Sequence, residues 1–194
     1  LRAAHLVITR AGATTAAGWL SELKSAVTDE SAALIGLPYG DADLVALDRA
    51  GLDREIATTR TTGDSLLSTE LAAPTLPNVI WPVGGNVTIS ALGDLASDMV
   101  NTVVLDGRLV QPQDPNVVGG PRTDLQTAAG PVHAVLTDPT LDALVADPAS
   151  VAGGQRAAEQ RFLAETMLIT EQRPGSRSPA VLAPPRNVDP SNHF

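Results

Sequence analysis

The chain has 194 residues, enough for one domain with a substantial core, and 43% of them are hydrophobic while only 3% are aromatic. A net charge of −9 with no basic run argues against nucleic acid as a partner, because that affinity rests on neutralised phosphates. The scarcity of aromatic rings argues against a carbohydrate-binding module, and the absence of cysteine excludes zinc ribbons, thiol catalysis and disulfides.

In chain order, residues 13–28 set Ala16, Trp19, Leu20, Leu23, Ala26 and Val27 at helical spacing and predict an amphipathic helix. Residues 33–39 form a continuous apolar run suited to a buried strand, with Pro38 near its end. Asp41 or Asp43 then caps a short helix holding Leu44, Leu47 and Ala50, closed by Gly51. A second helix spans 53–72, weakened by Thr58, Thr59, Thr61, Thr62 and Gly63. Pro74 and Pro77 lead into a strand at 79–83, and Ile89, Leu92, Leu95, Ala96 and Met99 mark the next helix.

Residues 103–105 read as a short strand. The segment 108–131 reads as a long loop rich in Pro, Gly, Asn and Gln, a kind usually mobile or functional. A fourth strand covers 132–136. Asp138-Pro139 starts a helix, with the acid as N-cap and Pro at the first position, and Asp147-Pro148 repeats the device. A long helix at about 154–172 has Ala158, Phe162, Glu165 or Thr166, and Ile169 on its core face. Residues 180–183 form the last strand, and 187–194 read as a flexible tail.

These runs share one rhythm. A short apolar stretch ends in a Pro, Asp or Gly turn, and a helix pattern usually follows. The expected fold class is therefore α/β, a single β/α domain over 1–194 with a mostly parallel sheet and flanking helices. Four or five strands are too few for an eight-stranded barrel, so the sheet is open or the barrel partial. The chain opens at Leu1-Arg2 without an initiator Met and is expected to be a piece of a longer protein. No stretch approaches the ~20 apolar residues of a membrane span, so none is expected in this segment.

Ligands of β/α proteins bind at the carboxyl ends of the strands. The candidate acids there are Asp41, Asp43, Asp106 and Asp138, and the candidate binding residues are Tyr39, Trp81, Arg186 and Asp189. Paired carboxyls could hydrolyse a glycosidic bond or hold a hard cation. Against that, Asp41, Asp43 and Asp138 stand where helix N-caps belong, and Asp106-Gly107 is a turn dipeptide. Trp81 suits packing, and Arg186 suits an ion pair with Asp189 or another acid. His5, His133 and His193 have no metal-ligand spacing, so no metal or cofactor is expected. Nucleophile elbows, phosphate loops and dinucleotide fingerprints are missing from the sequence.

Residues 35–44 (Ile-Gly-Leu-Pro-Tyr-Gly-Asp-Ala-Asp-Leu), 159–166 (Glu-Gln-Arg-Phe-Leu-Ala-Glu-Thr) and 183–186 (Ala-Pro-Pro-Arg) carry a resemblance. They resemble a family of large actinobacterial exported proteins of unknown function, anchored by one C-terminal span and often encoded beside the flippase for the cell-wall lipid precursor. Ala42 stands where that family tends to have Pro. The resemblance implies an extracytoplasmic, cell-surface setting and a fold similar to glycoside hydrolase and polysaccharide deacetylase barrels. The deacetylase pattern of one Asp and two His residues is missing from this sequence.

The expected function is a non-catalytic domain that recognises or scaffolds cell-envelope components, with cell-wall glycan or an envelope protein as partner. The alternatives are a glycan-active hydrolase using two of the four acids and a purely structural module of a larger surface protein. Two of those carboxyls facing one cleft would favour hydrolysis. Carboxyls turned onto helix amides would remove it.

Overall fold

The computed structural model describes residues 13–27, 33–110, 120–172, 179–183 and 185–186. Contacts group the chain into two compact units, Leu1–Val104 with Asp124–His133, and Leu105–Thr123 with Ala134–Phe194. Among the described residues the architecture is mixed α/β, with one open four-stranded sheet of order β1-β2-β4-β3. Its strands are β1 (Val79–Ile80), β2 (Thr102–Asp106), β3 (Arg122–Thr127) and β4 (Gly130–Thr137).

Among the described residues of the first unit, helix α1 (Ala13–Val27) comes first. Leu20, Leu23 and Val27 are half-buried, whereas Trp19 and Ala26, expected on the same face, are exposed. The run 33–39 does not form a strand. It makes one isolated parallel bridge, Leu34 to Thr75, and then turns. Pro38 brings no N–H to a ladder, and Gly40 (φ 70°) and Asp41 (φ 52°) bend the chain into a 3-10 turn, Tyr39–Asp41.

Helices α2 (Leu44–Arg49), α3 (Asp53–Leu71) and α4 (Ile89–Ser97) follow. Within α3 the hydroxyls of Thr58, Thr61 and Thr69 donate to the carbonyls of Arg54, Ala57 and Ser65, one turn back. The core of this unit is built from small aliphatics, among them Leu44, Ile56, Ile80, Leu92 and Leu95, all fully or almost fully buried. Each contributes about 1.5–3 kcal/mol of burial.

Strand β1 is shorter than the expected 79–83 because Pro82, lacking a donor, ends it. It pairs in parallel with β2, Val79 beside Thr102 and Ile80 beside Val103. The expected loop 108–131 is corrected by the structure, because β3 lies inside it. That strand alternates exposed Arg122, Asp124 and Gln126 with half-buried Thr123, Leu125 and Thr127.

Strands β3 and β4 are joined only by Ala128 and Ala129, and so form an antiparallel hairpin, since a parallel pair needs a long crossover. The Thr127 hydroxyl closes that turn, accepting from Ala129 N and donating to Gly130 O. The sheet therefore mixes both senses, with β1 and β2 parallel and the β3–β4 hairpin antiparallel.

In the second unit Asp138 starts α5 (Pro139–Ala146), and α6 (Gly154–Gln172) lies against it. Leu141, Leu144 and Ala158 make a small core, packed by Val151, Phe162, Ile169 and Leu182. The face expected for the long helix is thus the one that is buried. Residues 180–183 are not a strand. They are held instead by Asp138 N donating to Val181 O at 2.8 Å and Ala183 N donating to Asp142 Oδ1 at 2.7 Å. No helix among the described residues is long and apolar enough to cross a membrane. Asp189, His5, His193 and the segment 187–194 lie outside the described residues.

Candidate functional site

Asp43, Asp138 and Asp106 each hold a neighbouring backbone amide. Asp43 Oδ1 accepts from Val45 N at 2.9 Å and Ala46 N at 3.1 Å, capping α2. Asp138 Oδ1 accepts from Thr140 N at 2.9 Å and Leu141 N at 3.0 Å, capping α5. Asp106 Oδ1 accepts from Arg108 N at 2.9 Å, and the Arg108 guanidinium grips both carboxylate oxygens, Nε standing 3.0 Å from each. That side-chain grip, followed by the backbone bond and the charge of Arg108, outweighs partial burial and lowers the Asp106 pKa. The sign follows. Asp106 supports the folded state above its unfolded pKa, and that support is lost as pH falls through its folded value.

Asp41 is half-buried at the end of the 3-10 turn, in left-handed backbone, and does not cap α2. Tyr39 opens that turn, and Trp81 follows β1, both half-buried. Arg186 is half-buried in a turn of the second unit, next to the exposed Pro185. In the first unit Tyr39 and Asp41 share one turn with Asp43 two residues on. In the second, Asp106 and Asp138 flank a close backbone approach, Gly107 against Thr137 O, where a Cβ would collide.

The acids that the structure does gather are different ones. Carboxylate oxygens of Asp48, Asp53 and Asp94 all lie within 4.8 Å of one another. Asp48 comes from the last turn of α2, Asp53 from the first residue of α3 across the Gly51 turn, and Asp94 from α4. The Thr88 hydroxyl fixes one member, donating to Asp48 Oδ2 at 2.7 Å while accepting from Ala91 N as the α4 N-cap. The only sequence cue was Asp48 and Asp53 flanking a glycine turn; the third member depends on tertiary packing.

What the group does by itself is raise the Asp94 pKa, through lost hydration first and then through the charges of Asp53, Asp48 and Asp98. Asp94 therefore binds its proton more tightly folded than unfolded. Stability falls as pH rises from the ordinary carboxylate value through the folded one, and the penalty is complete above it. Asp94→Asn should raise stability at pH 7 in low salt by about 0.5 kcal/mol, the scale of an exposed charge contact. Urea melts at pH 7 and pH 3.5 check this, the gain vanishing at the lower pH and shrinking in ~1 M salt.

His133 and Asp124 make a second unforeseen contact, Nδ1 to Oδ1 at 2.7 Å across the hairpin, with both side chains mostly in solvent. Such a pair contributes little to stability.

A family model described as a family of unknown function, DUF6049, matches residues 12–193. The chain belongs to DUF6049. No curated protein and no solved structure matches it. In this DUF6049 chain the Leu37–Leu44 segment has a clear local role. It ends an extended run at Pro38, reverses direction through Gly40 and Asp41, and starts α2 on the Asp43 cap.

Proposed function

We propose that this DUF6049 chain is a non-catalytic extracytoplasmic domain that recognises or scaffolds cell-envelope components. In this reading it is displayed at an actinobacterial cell surface by a membrane-anchored parent protein, on a scaffold akin to glycoside hydrolase and deacetylase barrels. One observation carries the choice of recognition over hydrolysis. Asp43 and Asp138 spend their carboxylates on helix amides, and Asp106 is clamped by Arg108 with a lowered pKa. A glycosidase needs one carboxyl whose pKa is raised to serve as general acid, facing a second across the bond. Asp106 supplies the opposite condition.

Recognition falls then to Tyr39, Trp81, Arg186 and Asp189, with a glycan or an envelope protein as partner. Arg186 suits anionic groups of wall precursors, since its planar donors match phosphate and carboxylate. The test is co-sedimentation with insoluble cell-wall fragments and with vesicles bearing lipid-linked precursor. Binding to either is expected, with no release of reducing sugar, and Arg186→Ala should weaken it about tenfold. Release of reducing ends would make the chain a hydrolase. Failure of the unaltered chain to bind would leave a structural module.

A further inference from the structure

Helix α6 buries one face in its own unit and leaves another bare. Leu163, Met167 and Leu168 are 61%, 67% and 54% exposed. Arg156, Gln160, Leu163, Met167 and Glu171 follow one another at steps of four, three, four and four, so they share a stripe, and all are exposed. Beside this stripe runs an apolar groove of about 400 Å³ between α5 and α6, bordered by Leu144, Pro148, Gln155, Glu159, Phe162 and Leu163.

We infer that this stripe is a homodimer interface in which α6 pairs antiparallel with α6 of a second copy about a two-fold axis at Leu163. Charge and shape select the same register independently. Arg156 lies seven residues before Leu163 and Glu171 eight after it. At 1.5 Å per residue both stand about 11 Å from the axis, so each Arg156 meets the other copy's Glu171, twice per dimer. In that register Met167, four residues after Leu163, lies opposite Glu159, four before it, on the border of the other copy's groove. A flexible thioether is well suited to filling an irregular apolar recess. A parallel pairing would instead set Arg156 against Arg156 and Glu171 against Glu171.

The stripe suits protein better than membrane. Helix α6 carries Arg156 and Arg161 against Glu159, Glu165 and Glu171, and interfacial helices are rich in cations. Its apolar part is small, so the dimer belongs to the weak, transient class.

Sedimentation velocity on the 194-residue chain, from about 10 µM to about 1 mM, tests this. The average mass is expected to rise from 20.0 kDa towards twice that value. Met167→Glu should abolish the rise by placing a second acid beside Glu159. Arg156→Glu and Glu171→Arg should each weaken association about three- to tenfold, and the two together should restore it. All three positions are exposed, so the variants should fold, and circular dichroism verifies that. A mass fixed at 20.0 kDa, growth beyond a dimer, or a double reversal that restores nothing would each overturn the inference.

Discussion

Gly63→Ala should destabilise the first unit by about 3 kcal/mol, although alanine is the better helix former by about 1 kcal/mol. Gly63 lies buried inside α3, where the helix crosses the backbone of the segment leading into the Tyr39–Asp41 turn. An added Cβ would fall inside the van der Waals sphere of Leu37 O, with Leu37 C at 3.1 Å and Tyr39 N at 3.3 Å. These are main-chain atoms, so no side chain can rotate away, and either α3 or the turn has to move.

Gly93→Ala is the control. In α4 a Cβ would meet Thr127 Cβ at 3.8 Å, which is ordinary contact. That change should gain about 0.5–1 kcal/mol from helix propensity alone. The half-buried Trp81 belongs to the same unit and reports its unfolding by fluorescence. Opposite signs for the two alanines, read from the urea midpoints, are the expected result. Equal signs would mean that α3 does not press on residues 37–39 as described.

The same close approach shows why some elements were legible in the sequence and others were not. Periodicity located α4 and α6 because burial of Leu92 and Leu95, or of Ala158 and Phe162, is a local consequence of helical spacing. Asp43 and Asp138-Pro139 were legible because a cap acts within three residues. The run at 33–39 misled for the converse reason. From Leu34 onward its residues are half-buried or buried, as a strand's would be, but Gly36 and Gly63 let α3 lie on the backbone itself.

Strand β3 went unseen because one face is wholly polar and the other carries two threonines, a faint alternation next to Pro, Gly and Asn. Asp106 ends β2 and Asp138 follows β4, whereas Asp41 and Asp43 follow no strand; Asp43 and Asp138 were legible as caps, yet which carboxylates meet was not readable. Asp48, Asp53 and Asp94 come from three helices, and nothing local links Asp94 to the other two.

Leu141→Ala should cost the second unit about 3–5 kcal/mol, near the upper end for a buried leucine. The size follows from how small the cluster around Leu141 is among the described residues. The buried cluster comprises Leu141, Leu144 and Ala158, and the partly buried Val151, Phe162, Ile169 and Leu182 pack around it. Leu141 is completely buried, and its amide is one of the two held by the Asp138 cap. Helix α5 has only eight residues, too few to persist without tertiary contacts, so a cavity at Leu141 removes what keeps it folded.

The loss should spread further, because Asp142, the next residue along α5, holds Ala183 N. The urea midpoint should fall by at least about 1 M, given slopes of about 1–3 kcal/mol/M. Leu163→Ala, at a mostly exposed position on α6, should change stability by less than about 0.5 kcal/mol when measured dilute. If Leu141→Ala proved as mild as Leu163→Ala, α5 would not depend on that cluster. The placement of residues 180–183 would then need another cause. If it proves as costly as expected, Arg186→Ala becomes the cleaner probe of binding, since it removes the guanidinium without emptying the core.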